Sequence, residues 1–395
     1  MSSQNPVFIP GPTNIPERIR KACDQPTMDH RSTAFGRLFK PAVAGVRRVL
    51  GMAEGEVILF PSTGTGGWEA TITNTLSPGD TVLAARFGMF SHRWIDMCQR
   101  HGLKVQVIET PWGQGAPLAA IEAALKADTG HAIKAVLATH NETATGVRSD
   151  IGGIRRAMDK AGHPAMLFVD GVSSIACMPF DMAAWGVDVA VAGSQKGFML
   201  PAGLAIVGAS PKALAAMETA TLPRCFFDFR DMIRTNAAGG YPYTPAVGLI
   251  AGLAEAIEML EEEGLPAVYA RHARLATGVR RAIAAWGLRP CAVSPDLYSD
   301  TVTAVFVPEG CNGTDLVKLA AEKYGVAFGV GLGEVAGKVF RIGHLGSLTD
   351  VMVLAGLATA EMCMADLGWP VRLGSGVAVA QEYYRGSVTA LAQAA

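Results

Sequence analysis

The chain has 395 residues, half of them apolar and only 17% charged, with a formal net charge of −1. That length predicts two or three domains with room for a large core, and the near-zero charge, with no basic run, excludes an electrostatic nucleic-acid surface. No apolar segment reaches bilayer-crossing length, and the opening MSSQNPVFIPGPTNIPERIR lacks a basic-then-apolar pattern, so neither a membrane span nor a leader is expected.

Pro10, Pro12 and Pro16 mark residues 1–20 as an extended arm rather than a helix. Asp29-His30-Arg31-Ser32 then leads into a helix over Phe35–Val49 that stops near Gly51. From there the pattern alternates. Glu56–Phe60 reads as a strand, Gly66–Leu76 as a helix, Thr81–Ala85 as a strand, Ser91–His101 as a helix and Lys104–Glu109 as a strand. A helix over Pro117–Ala127, a strand over Lys134–Thr139 and a helix over Asp150–Ala161 continue it. Three short apolar runs follow, Ala165–Val169, Asp188–Ala192 and Gly203–Val207, each bounded by Gly, Pro or Asp as buried strands are. This alternation predicts an α/β fold, a mainly parallel sheet with helices on both faces. Pro245–Glu263 reads as a largely buried helix, and Leu265-Pro266 breaks the pattern. A boundary there leaves a large domain over residues 21–264 and a smaller C-terminal α/β domain over 265–395. The latter has strands at Thr301–Val307 and Val339–Ile342 and helices near Asp315–Lys323 and Thr349–Asp366.

Asp170 ends the first of the three apolar runs, and Gly193-Ser194-Gln195-Lys196 ends the second. Side chains at the ends of neighbouring buried strands point into one crevice. Pyridoxal phosphate uses that pair: a lysine as Schiff base and an acid for its pyridinium nitrogen. Taken alone, Asp170 reads equally as a strand-end turn former and Lys196 as a solvated loop lysine. The apolar surroundings favour burial. Ser62-Thr63-Gly64-Thr65-Gly66-Gly67, between a strand and a helix, forms an anion site from backbone amides, hydroxyls and the helix dipole. It is neither a dinucleotide fingerprint, which needs a third glycine, nor a P-loop, which needs a lysine in register. Arg341, at the end of KVFRIG, suits a bidentate carboxylate clamp, with a surface ion pair as the alternative. His344 behind it reads as packed or hydrogen-bonded rather than catalytic. The eight histidines show no metal-ligand spacing. The seven cysteines, odd in number and scattered, fit inert packing in a reducing cytoplasm.

The succession STGTGG, ATHNETATG, LFVDGVSS, GSQKGF, YPYTP and FRIGHLG resembles the class V, fold-type I pyridoxal-phosphate aminotransferases. The nearest likeness is to the serine–glyoxylate and alanine–glyoxylate enzymes, with the aspartate–glyoxylate type close by. It runs from the PGPT arm to Arg341. The resemblance implies Lys196 as Schiff-base lysine, Asp170 as ring-nitrogen partner, and Thr63, Gly64, Thr65 and Gln195 around the phosphate. Phe90 falls on the ring-stacking position, where the alanine-linked enzymes have tryptophan, and Thr143 on a hydroxyl that meets the phenolic oxygen. Tyr241 and Thr244 fall on residues that reach the phosphate of a neighbouring subunit, which implies a homodimer with shared sites and leaves further pairing of dimers open. Arg341 falls on the substrate-carboxylate arginine, and the arm with Gly11 over the mouth of the site. The family's lysine loop has Ala202 where a second proline is usual, a change expected to be harmless.

The implied reaction moves an amino group from a small amino acid to glyoxylate, giving glycine and a 2-oxo acid. Serine is the first choice of donor, because the STGTGG and GSQKGFMLP pattern looks most like the serine–glyoxylate enzymes, and serine needs only one carboxylate clamp; aspartate and alanine are the alternatives. An aspartate donor needs a second cation, because an unpaired buried carboxylate costs several kcal/mol. Arg31 suits that role, with His30 or His344 beside it; pairing with Asp29 at the surface is the other reading. A cysteine desulfurase needs a reactive cysteine on a mobile loop, and Cys311 in PEGCNGTD matches poorly. The broken glycine fingerprint opposes a nucleotide-dependent oxidoreductase, and a scaffold gives no reason for a buried Asp–Lys pair.

Overall fold

The computed structural model describes residues 6–394; residues 1–5 of the expected arm and residue 395 lie outside the described residues. The chain begins with a short strand, β1 (Val7–Phe8), and a helix, α1 (Glu17–Cys23). The expected arm is therefore extended only as far as Pro16, which precedes α1. Proline breaks a helix interior but suits its start, where no N–H is needed. Next comes α2 (Thr33–Val49), capped by Ser32, whose Oγ accepts from Phe35 N at 3.4 Å.

The expected alternation follows as β2 (Glu56–Ser62), α3 (Gly64–Thr75), β3 (Thr81–Arg86), α4 (Met89–Arg100), β4 (Lys104–Glu109), α5 (Leu118–Ala127) and β5 (Ile133–Thr139). A small hairpin, β6 (Asn141–Glu142) and β7 (Val147–Arg148), precedes α6 (Ile151–Lys160), β8 (Met166–Asp170), β9 (Val189–Gly193) and β10 (Gly203–Ala209). Two helices that the sequence pattern does not announce, α7 (Pro211–Met217) and α8 (Phe229–Ala237), lead to α9 (Val247–Glu263). The break at Leu265-Pro266 opens another helix, α10 (Leu265–Ala285), with Pro266 in its first turn. The remainder is β11 (Val302–Phe306), α11 (Gly313–Tyr324), β12 (Ala327–Val330), β13 (Val339–Gly343), α12 (Asp350–Asp366) and α13 (Ser375–Ala394).

The large sheet has the order β2-β10-β9-β8-β5-β3-β4. It is mainly parallel, as expected, with β10 antiparallel to both β2 and β9. The exception follows from loop length. Residues 194–202 join β9 to β10, too short a span for the crossover that parallel pairing needs. Every residue of β8 and β9 is buried, because helices cover both faces. The second sheet, β1-β12-β13-β11, takes the arm as its edge: Val7 and Phe8 pair in parallel with Ala327 and Phe328. One hydrophobic core surrounds the large sheet and reaches Val268, while another joins Phe8 to α10–α13 and the small sheet. On these two cores we propose the division into arm, larger domain to Gly264 and smaller domain from Leu265.

Candidate active site

The carboxyl ends of β2, β3, β5, β8 and β9 lie along one edge of the large sheet, where α/β folds place their ligands. Asp170 is the last residue of β8, and Val191 pairs opposite it on β9, three residues before the loop that begins at Ser194. Asp170 is buried; its Oδ1 accepts from Val172 N at 2.9 Å. Burial pushes its carboxyl up to about 7, with the charge of Glu142 adding to the rise and the Val172 amide and Lys196 opposing it. Burial lowers the Lys196 ammonium to about 8, and Arg341 lowers it further against the pull of Asp170. The structure thus joins a carboxyl and an amine whose protonation states both lie within reach of neutral pH.

The arm closes over this pair. Lys196 Nζ donates to Pro10 O, Thr13 N donates to Gln195 O at 3.2 Å, and Thr13 Oγ1 donates to Lys196 O at 3.2 Å. Gly11 lies against the lysine, at φ +107°, and a Cβ there would stand 2.5 Å from Nζ. Only glycine tolerates both the backbone and the approach.

On the same sheet edge, α3 starts at Gly64, two residues earlier than its pattern indicates, so the STGTGG amides form its first turn. Thr63 is the N-cap residue, yet its side chain makes no capping bond, and Thr63 and Thr65 are exposed. Gly64 packs on Val172, with no room for a Cβ. The Oε1 of Gln195 is buried without a partner. A helix N-terminus with idle hydroxyls is an anion cradle, and the Gln195 oxygen is a buried acceptor without a donor.

Arg341 is buried in β13, between Ala304 on β11 and Gly329 on β12. Its Nε donates to Val330 O of the same sheet at 2.7 Å and its Nη1 to Thr143 O, in the turn after β6, at 3.0 Å. Burial lowers its pKa to about 10, and Glu142 opposes that fall; it remains a cation at neutral pH. The alternative of a surface ion pair is excluded. Thr143 Oγ1 lies 2.7 Å from Ser173 Oγ, and Asn141 Nδ2 donates to Ser173 Oγ at 2.8 Å and to Thr301 Oγ1 at 2.9 Å. Phe90, half-buried, sits in the first turn of α4 with the Arg93 guanidinium 5.4 Å from its ring centre.

Four expected residues stand elsewhere. His344 is packed and hydrogen-bonded, as its residue reading has it, which corrects only its suggested place beside Arg31 at the substrate: it is fully buried, with Nδ1 3.0 Å from Asp300 O and Nε2 3.0 Å from Thr303 Oγ1. Both ring nitrogens are engaged, so it fastens β11 to β13 and has none left for a substrate. Arg31 is exposed on the turn before α2, where its own amide donates to Asp29 Oδ1 at 2.9 Å. It lines a pocket of about 890 Å³ with His30, Arg37, Lys40 and Tyr241, which includes neither Lys196 nor Arg341. Tyr241 is buried, donates to Leu59 O within its own chain, and packs edge-on to Phe35 and Phe39. Thr244, three residues on, is exposed. Glu142, Ser173 and Asn141 are the residues that sequence reasoning missed. Among the described residues, no group of three or more His, Cys, Asp or Glu could hold a metal ion.

The family pattern described as aminotransferase class-V matches residues 11–343. The chain belongs to that family. It is 67% identical over its whole length to the L-aspartate–glyoxylate aminotransferase of Paracoccus denitrificans, covering 99% of that protein. It is 53% identical over 97% of its length to the serine–glyoxylate aminotransferase of Methylorubrum extorquens, of which it covers 96%. Among solved structures, the pyridoxamine–pyruvate aminotransferase of Mesorhizobium loti superposes with a TM-score of 0.90 at 28% identity, covering 98% of this chain and 99% of that one. This class-V aminotransferase has fold type I, and the class uses pyridoxal 5′-phosphate. The residues present fit that cofactor: a shielded lysine lowered to about 8, a buried carboxyl with few partners, an unpartnered Gln195 amide and a free helix N-terminus.

Proposed function

We propose that this chain transfers the amino group of L-aspartate to glyoxylate, forming oxaloacetate and glycine. The observation that carries the reading is its 67% identity, end to end, to an L-aspartate–glyoxylate aminotransferase. It moves the preferred donor from serine to aspartate. L-serine is the second reading, supported by 53% identity to a serine–glyoxylate enzyme.

Pyridoxal phosphate, when bound, supplies the aldehyde that accepts the amino group and the ring that draws electrons from the substrate's Cα. The Lys196 amine, which its lowered pKa leaves partly neutral near pH 7, would hold that aldehyde and carry the proton at Cα. Asp170 stands as the anion for a protonated ring nitrogen. Thr63, Gly64, Thr65 and Gln195 would hold the phosphate, the Thr143 hydroxyl would serve the phenolic oxygen, and Phe90 would cover the ring. Arg341 clamps the α-carboxylate of donor and acceptor alike, beneath the arm at Gly11. The pocket that unites Arg31, Arg37 and Lys40 with Tyr241, away from Lys196, supports a homodimer in which one chain's cations and its Tyr241–Thr244 segment complete the partner's site. Arg31 there would read the second carboxylate of aspartate. Seven cysteines without a disulfide support a cytoplasmic setting.

The test is glycine formation from glyoxylate with aspartate, serine or alanine as donor. The highest kcat/KM is expected for aspartate. A serine preference would select the second reading, and no glycine from any of them would refute both.

A further inference from the structure

Glu142 is a charged side chain with no exposure to solvent, in the middle of the ATHNETATG stretch. Among the described residues no salt bridge compensates it. Its partners are backbone amides: Phe90 N at 3.2 and 3.0 Å to its two oxygens, Ser91 N at 2.9 Å and Ala144 N at 3.1 Å. Phe90 and Ser91 belong to the first turn of α4, whose N-cap residue, Gly88, has no side chain to offer. A Cβ on Gly88 would run into the Glu142 carboxyl group. The helix is therefore capped from 52 residues away in sequence, and its dipole favours an anion at that point. Burial alone raises the Glu142 pKa, and the Ser91, Ala144 and Phe90 amides oppose the rise.

The same carboxyl group sits between the functional side chains. The residue after it, Thr143, gives its carbonyl to Arg341 and its hydroxyl to Ser173. Glu142 is also a charge felt by both Arg341 and Asp170. We propose that Glu142 is a positioning residue of this site: its carboxylate ties the first turn of α4, and with it Phe90, to the turn that carries Thr143 and anchors Arg341. The inference rests on the roles given above to Phe90, Thr143 and Arg341. A capping bond alone would be worth no more here than at any helix, but this one joins the turn that carries Phe90 to the residue before Thr143.

The holoenzyme tests it. Glu142→Gln keeps the shape but turns an N–H₂ group toward amides that need an acceptor. Gly88→Ala keeps the charge and displaces the carboxylate, and it serves if Glu142→Gln does not fold. At equal cofactor occupancy, both should change the visible circular dichroism of the bound cofactor. Both should raise the donor KM by about tenfold, the effect of one lost charge-assisted bond, with kcat changed less. Asp150→Ala removes the cap of α6, where Asp150 Oδ1 accepts from Gly153 N at 2.7 Å, and should leave dichroism and KM as they were. Unaltered dichroism and KM in either site variant, or the same changes in Asp150→Ala, would overturn the inference. Lys196→Ala separates this failure from that of the site itself. If it retains the lysine-linked visible band, the site reading falls; if it loses the band while Glu142→Gln behaves as the parent, only the positioning role falls.

Discussion

Replacing Arg341 by lysine keeps the charge and removes the fork. Arg341 gives Nε to Val330 O and one Nη1 hydrogen to Thr143 O. Of the five N–H groups a guanidinium carries, about three then remain for a substrate carboxylate. A lysine would lose both backbone anchors and offer a point charge in place of a two-bond clamp. Losing one charge-assisted hydrogen bond costs about 1.5–3 kcal/mol, a fall in kcat/KM of roughly 10- to 150-fold. The carboxylate is present in ground and transition states alike, so the loss should fall mainly on KM. The assay is initial-rate glycine formation per bound cofactor at varied donor and at varied glyoxylate. Both KM values should rise. Values within about twofold of the parent, under ~0.5 kcal/mol, would refute Arg341 as the clamp.

Other outcomes follow from the same geometry. The Lys196 pKa of about 8 leaves more neutral amine as pH rises, so the rate of cofactor capture by apoprotein should climb up to about pH 8 and then level. A climb continuing toward the ordinary lysine range would contradict the burial argument. Asp170→Asn keeps the shape and removes the anion, so cofactor should still bind while breaking the Cα–H bond becomes limiting; a Cα-deuterium isotope effect that fails to rise would count against Asp170. His140, His272 and His344 are buried, and burial holds each at about 3. An unfolded chain protonates them near 6.5, so their stability is complete above that pH and is lost as pH falls toward 3. Each loses about 2 kcal/mol by roughly pH 5, and equal urea midpoints at neutral pH and at about pH 5 would contradict it.

The Asp170–Lys196 pair was legible because two buried strands ending in polar residues leave little choice about where those residues point. The glycine-rich start of α3 was legible too, as a turn between a strand and a helix whose amides face an anion site, although such a start is weak evidence by itself. Glu142 was not. A glutamate among His, Asn and Thr reads as a solvated turn, and only its pairing with α4, distant in sequence, shows it buried. The break at Leu265-Pro266 is where α9 ends, but the helix that follows was not legible, because a proline that stops one helix pattern is also tolerated in the first turn of the next, α10. The arm's place in the small sheet depends on β1 pairing with β12 more than 300 residues later, which no window of sequence contains. His344 follows Arg341 closely, yet the strand ends between them and leaves the histidine facing Thr303 and Asp300.

The central claim is that Lys196 is the residue bonded to the cofactor. Borohydride reduction of the holoenzyme, followed by peptide mass spectrometry, tests it directly. The reduced pyridoxyl mass is expected on Lys196, and Lys196→Ala should carry none and turn over at background rate. A pyridoxyl mass on any other lysine, or a Lys196→Ala enzyme that retains more than about a tenth of the parent rate when general acid–base help alone is worth about 10²–10⁴-fold, would contradict it.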